Sequence, residues 1–345
     1  MRFLTTDVVG CITVAALAVA TYRTLFVGEW EFISTWDDDG NFLENDLFRG
    51  LDWPHVRAMW SAVLINVYEP VAWMFKAAVF SVAGLSSRAV RVATLGAHAA
   101  ASALIFLLLR RLSAVWSRAR RVERGGATAG ALLGAAIFAV HPLNVEVVCW
   151  PSAQPYAVGM VFAAACLLAY AAARWPSGDG DAPLSLPLLA CSVLCYALAV
   201  LCKSVYVTLP AALVCVEFAA AMLARSSAAP HPLRRSLSLR VELRALSARL
   251  LPFGAFAAAT LWMTLAANRD GARFDSDTIS LTPGERAVKA SMALVACAGR
   301  VVWPALLRPH YVVRERNVQA FGAERCGEIV VLPGDAASGV GDGCR

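Results

Sequence analysis

Apolar runs of roughly twenty residues recur along this 345-residue chain, separated by short charged loops, and a bilayer is the solvent such runs require. Eight segments qualify by apolar content: Val8–Val27, Ala89–Leu109, Ala127–Val140, Tyr156–Ala173, Leu184–Leu201, Val205–Leu223, Leu250–Ala267 and Ala287–Leu307. The third is short, and Gly299, Arg300 and Pro304 interrupt the eighth, so both fit a tilted, re-entrant or interfacial helix as well as a full crossing. A soluble alternative fails on quantity. At 59% hydrophobic, 16% charged and a mean hydropathy of +0.59, the chain holds more apolar surface than one soluble core can hide. The first run continues through Tyr22–Val27 without a polar cleavage region, so it reads as an uncleaved anchor rather than a signal peptide.

The net charge of +6 is unevenly placed. Arg110–Arg124 carries six Arg against Glu123, and Arg225–Arg249 carries six against Glu242. Both read as cytosolic loops, and the order of the apolar runs puts them on one side of the membrane, as the positive-inside bias requires. Glu29–Arg88 then lies on the opposite side. The Arg runs lack interleaved aromatic residues and sit between apolar runs, so nucleic acid is not an expected partner. Seven cysteines fall in or at the ends of apolar runs, and Cys191 and Cys195 have no further ligand at metal-binding spacing. They read as small packing residues, and no metal site is expected.

The region 28–88 is the largest outside the apolar runs. Within it, Pro54–Leu64 reads as a short amphipathic helix with Trp53 and Trp60 at headgroup depth, and Glu69–Leu85 as an interfacial helix carrying Lys76. The tail 312–345 becomes rich in Gly and charge after Gly322, and the segment Pro333–Arg345 has the composition of disorder.

Three groups of residues carry possible chemistry. The first is Trp36-Asp37-Asp38-Asp39-Gly40-Asn41, three adjacent carboxylates just beyond the first apolar run. An acidic loop is commonly no more than solvated, but carboxylates at a low-dielectric boundary suit a general base with a supporting acid beside it. The second is the stretch from Ala139 to Trp150, in which His141, Asn144 and Glu146 leave the third run on the acidic loop's side. Taken alone, His141-Pro142 is a helix-terminating pair. The third is Lys203, in the connection between the fifth and sixth runs on that same side. A lone lysine there snorkels, or it meets the phosphate of a lipid-borne ligand, a role Arg286 and Arg300 also suit.

The segments WDDDGNFLEN, AVHPLNVEVVCWPSAQPYAVG, LCKSVYVTLP and GERAVKASMALVACAGRVVWPALLRPHY occur in this order. Together they resemble the transmembrane and tetratricopeptide-repeat-containing protein O-mannosyltransferases, over roughly Ile33 to Tyr311. Asp37, Asp38, Asn45, His141, Pro142, Glu146 and Lys203 fall at positions matching that family's pattern.

The resemblance implies an all-α polytopic membrane protein of the C-type glycosyltransferase (GT-C) fold. It would have about eight transmembrane or re-entrant helices over 1–311, a lumenal first loop 28–88 with interfacial helices, and a tail 312–345. It implies transfer of mannose, with inversion, from dolichyl-phosphate mannose to Ser or Thr of lumenal or secretory proteins, in the endoplasmic reticulum membrane. Asp37 or Asp38 would be the base, Lys203 and Arg286 would balance the donor phosphate, and Asn45, His141 and Glu146 would support the site. Partners would be the lipid-linked donor, protein acceptors and the membrane, with no further cofactor. No tetratricopeptide repeat occurs before residue 345, so the chain reads as the N-terminal membrane part of a longer protein. That absence favours a catalytically inactive scaffold or chaperone as the alternative. A transporter is a weaker one, since the polar residues gather at helix ends rather than inside the runs.

Overall fold

The computed structural model describes residues 2–64, 67–120, 124–176, 183–226, 232–271, 282–305 and 307. By internal contacts the chain divides into a unit of residues Met1–Ser276 and a second of Asp277–Arg345. Helices are the regular structure of the described residues, apart from one isolated bridge between Leu64 and Val67. The expected tail 312–345 lies outside the described residues.

In the first unit, α1 (Arg2–Thr21) ends in a 3-10 turn at Arg23–Phe26. The first loop then carries a π-helical turn at Asp39–Leu43, α2 (Trp53–Ser61) and α3 (Pro70–Ala83). Next come α4 (Ser87–Arg120), α5 (Arg124–Val140), the single-turn α6 (Asn144–Cys149), α7 (Gln154–Arg174), α8 (Leu186–Cys202), α9 (Leu209–Ser226) and α10 (Pro232–Gly271). The second unit contains α11 (Pro283–Val302), opened by a reciprocal cap in which Thr282 and Glu285 bond each other's backbone N–H groups.

Among the described residues, three helical stretches are long and apolar enough to cross a membrane: Ser87–Trp116, Pro151–Arg174 and Arg244–Ala266. They coincide with the second, fourth and seventh apolar runs. The first, third, fifth and sixth runs form shorter apolar helices, Thr5–Thr21, Gly126–Val140, Leu186–Cys202 and Ser204–Ala219. The eighth run forms α11, which ends at Val302, ahead of Pro304. The described residues therefore form an all-α membrane protein with three helices of spanning length among them. Large apolar side chains left open on α10, such as Leu251 and Trp262 at 72% exposure each, are the expected lipid-facing surface of such a helix.

α4 is the hub, packing on α1, α5 and α7. Small residues let it approach closely: Ala131, Ala135 and Ala139 line up one turn apart on α5 against Val14 and Ala18 of α1 and Ala99 and Phe106 of α4. α7 and α8 pack along their lengths, with Tyr170, Tyr196 and Phe253 of α10 filling the space between them. The helices thereby alternate direction between two ends. One end receives the first loop, the α5–α7 connection and Lys203. The other receives Arg110, Arg111, Arg174 and Arg249.

The first loop has a core of its own. Phe42, Phe48, Met59 and Trp73 are buried together with Val90 of α4, and the Phe32 and Phe42 rings stack 4.9 Å apart. α2 is started by Asp52, whose carboxylate accepts from the His55 N–H at 3.0 Å, with Pro54 in the first turn. α3 packs against α2, α4, α7 and α8, burying Ala72, Trp73, Lys76 and Ala77.

Candidate functional site

The acidic loop separates its carboxylates by environment. Asp37 is exposed, whereas Asp38 has no exposed surface. The Asp38 Oδ2 accepts from the Ile33 N–H at 2.9 Å, and Oδ1 accepts from the Ser152 N–H at 3.2 Å and from the Ser152 hydroxyl. A buried carboxylate needs donors of this kind, because leaving its lone pairs unmet costs about 1–3 kcal/mol or more. Two of the three donors come from one residue, Ser152, 114 positions away, where Pro151 opens a 3-10 turn ahead of α7.

The same contact continues sideways. Asn41 Nδ2 donates to the Ser152 hydroxyl at 3.1 Å, and the Lys76 ammonium donates to Asn41 Oδ1 at 3.1 Å. Lys76 is buried, with Nζ 3.8 Å from the Trp73 ring centroid and 4.7 Å from that of Phe42. α3 lies outside the three spanning stretches, and burial among these rings pushes the Lys76 amine down to about 7. Two turns earlier on the same helix face, Glu69 is buried and forms an ion pair with Lys203. Glu69 and Asp38 act on the Lys76 amine in the opposite direction to burial, and Lys203 in the same direction.

Lys203 sits where α8 ends and the Ser204–Thr208 turn begins. Its ammonium stands 5.1 Å from the Tyr156 ring centroid. Tyr206 braces the turn by donating to the Tyr156 carbonyl at 2.5 Å, its ring lying where a side chain at Gly159 would otherwise stand. Beyond Lys203 opens a cavity of about 240 Å³, lined by Tyr156, Ser204, Val205 and Val207 on one side and by Thr260, Leu261 and Thr264 of α10 on the other. Two polar groupings thus face each other across α3: Asp38, Ser152, Asn41 and Lys76 in one, and Glu69 with Lys203 beside the cavity in the other.

Arg91 fastens the whole. Its Nε donates to the Cys149 carbonyl at 2.6 Å, Nη2 to the Glu31 carbonyl at 2.9 Å, and Nη1 to the Trp30 carbonyl at 3.3 Å. One guanidinium therefore clamps the first loop and the α6–α7 connection onto α4, and its planar fork of five donors suits that task.

The other residues singled out in the sequence are placed differently. Asn45 is buried and serves its own loop, donating to the Gly40 carbonyl at 3.1 Å and accepting from the Leu47 N–H at 2.9 Å. His141 follows the last residue of α5, and its Nδ1 accepts from the Leu143 N–H at 3.3 Å. Asn144 donates to the Phe138 carbonyl at 2.7 Å, closing that helix end. Glu146 is exposed on α6. Arg286 is exposed in the first turn of α11, and Arg300 lies in its last, both in the second unit.

Sequence reasoning passed over Glu69, Ser152, Gln154 and Arg91 and read Lys76 as an interfacial charge. Gln154 is buried, its Nε2 donating to Thr94 Oγ1 at 3.2 Å and the Val90 carbonyl at 3.3 Å. The available signal was that each is a polar residue inside or beside an apolar stretch, where burial without a partner is costly. Among the described residues, no group of three or more His, Cys, Asp or Glu is placed to hold a metal ion. No protein-family model, curated protein or solved structure matches this chain.

Proposed function

We propose that the chain is a membrane glycosyltransferase that takes a sugar from a polyprenyl-phosphate carrier and places it on a hydroxyl of a protein acceptor. The reading is specifically a protein O-mannosyltransferase using dolichyl-phosphate mannose in the endoplasmic reticulum membrane. The observation that supports it most is a lysine paired with a buried glutamate beside a cavity, on the end of the bundle that also receives the exposed carboxylate loop. A carboxylate and a cation at one membrane face are the two charges this displacement needs.

In this reading Asp37 is the base, because Asp38 already has both oxygens occupied by N–H and O–H donors. Asp37 takes the proton of the acceptor hydroxyl as that oxygen forms its bond to the anomeric carbon from the face opposite the phosphate. The C–O bond to the phosphate breaks, the anomeric centre inverts, and Lys203 balances the charge on the departing polyprenyl phosphate. Asp38 is a positioning residue that holds the loop to Ser152. The tyrosine and threonines around the cavity offer hydroxyls, and Val205, Val207 and Leu261 offer an apolar wall for the first carbons of the lipid.

The test is sugar transfer from radiolabelled dolichyl-phosphate mannose to a Ser/Thr-containing peptide by the purified chain in nanodiscs. Transfer that disappears in Asp37→Asn while Glu146→Gln retains it supports the reading. A folded wild-type chain with no transfer favours the scaffold alternative.

A further inference from the structure

α11 is 20 residues long, about 30 Å, and none of those residues is buried. A helix of that length is marginal in water by itself, so its stability calls for a surface to fold against. The order of its side chains identifies the surface. At 3.6 residues per turn, Glu285, Arg286, Lys289 and Arg300 fall within about 100° of arc, and Val288, Leu294, Val295 and Val302 fall within about 120° on the opposite side. Leu294, Val295 and Val302 are 73%, 65% and 83% exposed, and Trp303, just past the helix, is 77% exposed.

We propose that α11 lies in the plane of the bilayer surface, its valine and leucine face in the acyl boundary and its cations on the phosphates of anionic phospholipids. A crossing fits poorly. Lys289 and Arg300 leave ten residues between them, roughly 15 Å of helix, whereas the hydrocarbon core is about 30 Å thick. A crossing helix would draw at least one of these cations into hydrocarbon, where charge is costly. Lying flat gives each cation a headgroup, and three cations against one acid complement a negative surface. The helix also brings its own N-terminal cap, since Glu285 accepts from the Thr282 N–H and hydroxyl at 2.8 Å each. At the other end Trp303 suits headgroup depth, and Pro304 prevents the helix from continuing.

The test is hydrogen–deuterium exchange of the whole chain in nanodiscs, read at the peptides covering residues 282–303. One set of discs is phosphatidylcholine alone, and the other is phosphatidylcholine mixed with phosphatidylglycerol. The α11 amides should exchange more slowly in the anionic discs, by about tenfold or more for two net positive charges, and high salt should remove the difference. Lys289→Glu combined with Arg300→Glu should abolish the distinction between the discs, and Leu294→Asp should speed exchange in both. Equal protection in both discs at any salt overturns the proposal, because a crossing helix, or a face covered by protein, ignores lipid charge. Rapid exchange in both discs overturns it as well. Since the comparison between discs uses the wild-type chain, misfolding of a variant leaves either outcome decisive.

Discussion

The two ends of the helix bundle both bury charge, but they settle it differently. At the arginine end Arg110, Arg111, Arg174 and Arg249 each have a fixed acceptor. Arg174 and Arg249 share Glu217 at 3.3 Å and 3.1 Å, and Tyr170 donates to the same carboxylate at 2.8 Å. Arg111 donates to the Trp175 carbonyl at 2.6 Å, and Arg110 pairs with Asp7. Guanidinium groups keep their charge at any accessible pH, so this end is electrostatically static. At the loop end the cations near the cavity are lysines, and one of them is enclosed by rings that disfavour its charge. That end retains a charge that can change, and it also carries the cavity beside Lys203. The difference separates an end built to hold helices together from one able to respond to a ligand.

The sharpest way to break this contrast is to remove charge at each end and compare the losses. Asp37→Asn should reduce sugar transfer by roughly 10²–10⁴-fold while leaving the melting temperature unchanged, because the side chain is exposed and its proposed duty is to take a proton. Radiolabel transfer measured alongside a thermal melt decides it; a parallel fall in both would make Asp37 structural. Glu217→Leu should do the reverse. It strands two arginines and a tyrosine, and should destabilise the fold by about 3 kcal/mol, read as a lower unfolding midpoint in detergent.

A smaller effect sharpens the contrast through pH. Lys76 has a folded pKa of about 7, below its unfolded value of about 10.4, so between those values the unfolded chain binds the extra proton. Stability from this group should therefore rise with pH across that window, by up to about 1.4 kcal/mol per unit, and be at its lowest below pH 7. Thermal melts from neutral to alkaline pH should show this slope in the wild type and not in Lys76→Met. The smallest effect belongs to Asp7→Asn, since the Asp7 side chain is 34% exposed where it meets Arg110. A change below about 1 kcal/mol is expected there, and it should shrink further in high salt.

Much of the helical framework was legible because apolar runs and their breakers are local signals. His141-Pro142 marks the end of α5, and Asp52 with Pro54 marks the start of α2. Span lengths were less legible, since hydropathy does not reveal that the first run gives way to a 3-10 turn at Arg23. The site was legible only as isolated pieces. Asp37 and Asp38 look alike in sequence, and what distinguishes them is Ser152, a neighbour supplied by tertiary packing. Lys76 read as an interfacial charge because its run is short and apolar, and its burial against Trp73, Phe42 and Asn41 comes from tertiary packing of α3 on its neighbours. Glu146 attracted notice by its spacing from His141 and proved to face solvent.

The bond between Asp38 and Ser152 also has a consequence for how the protein is made. The acidic loop leaves the ribosome first, and its anchor follows 114 residues later. At ordinary rates of synthesis that interval is on the order of ten seconds. Throughout it, Asp38 has neither the hydroxyl nor the N–H of Ser152, and Arg91, once made, still lacks the Cys149 carbonyl that completes its clamp. The nascent chain therefore carries an acidic segment without its Ser152 anchor until α7 begins to emerge, and Lys203 reaches Glu69 later still.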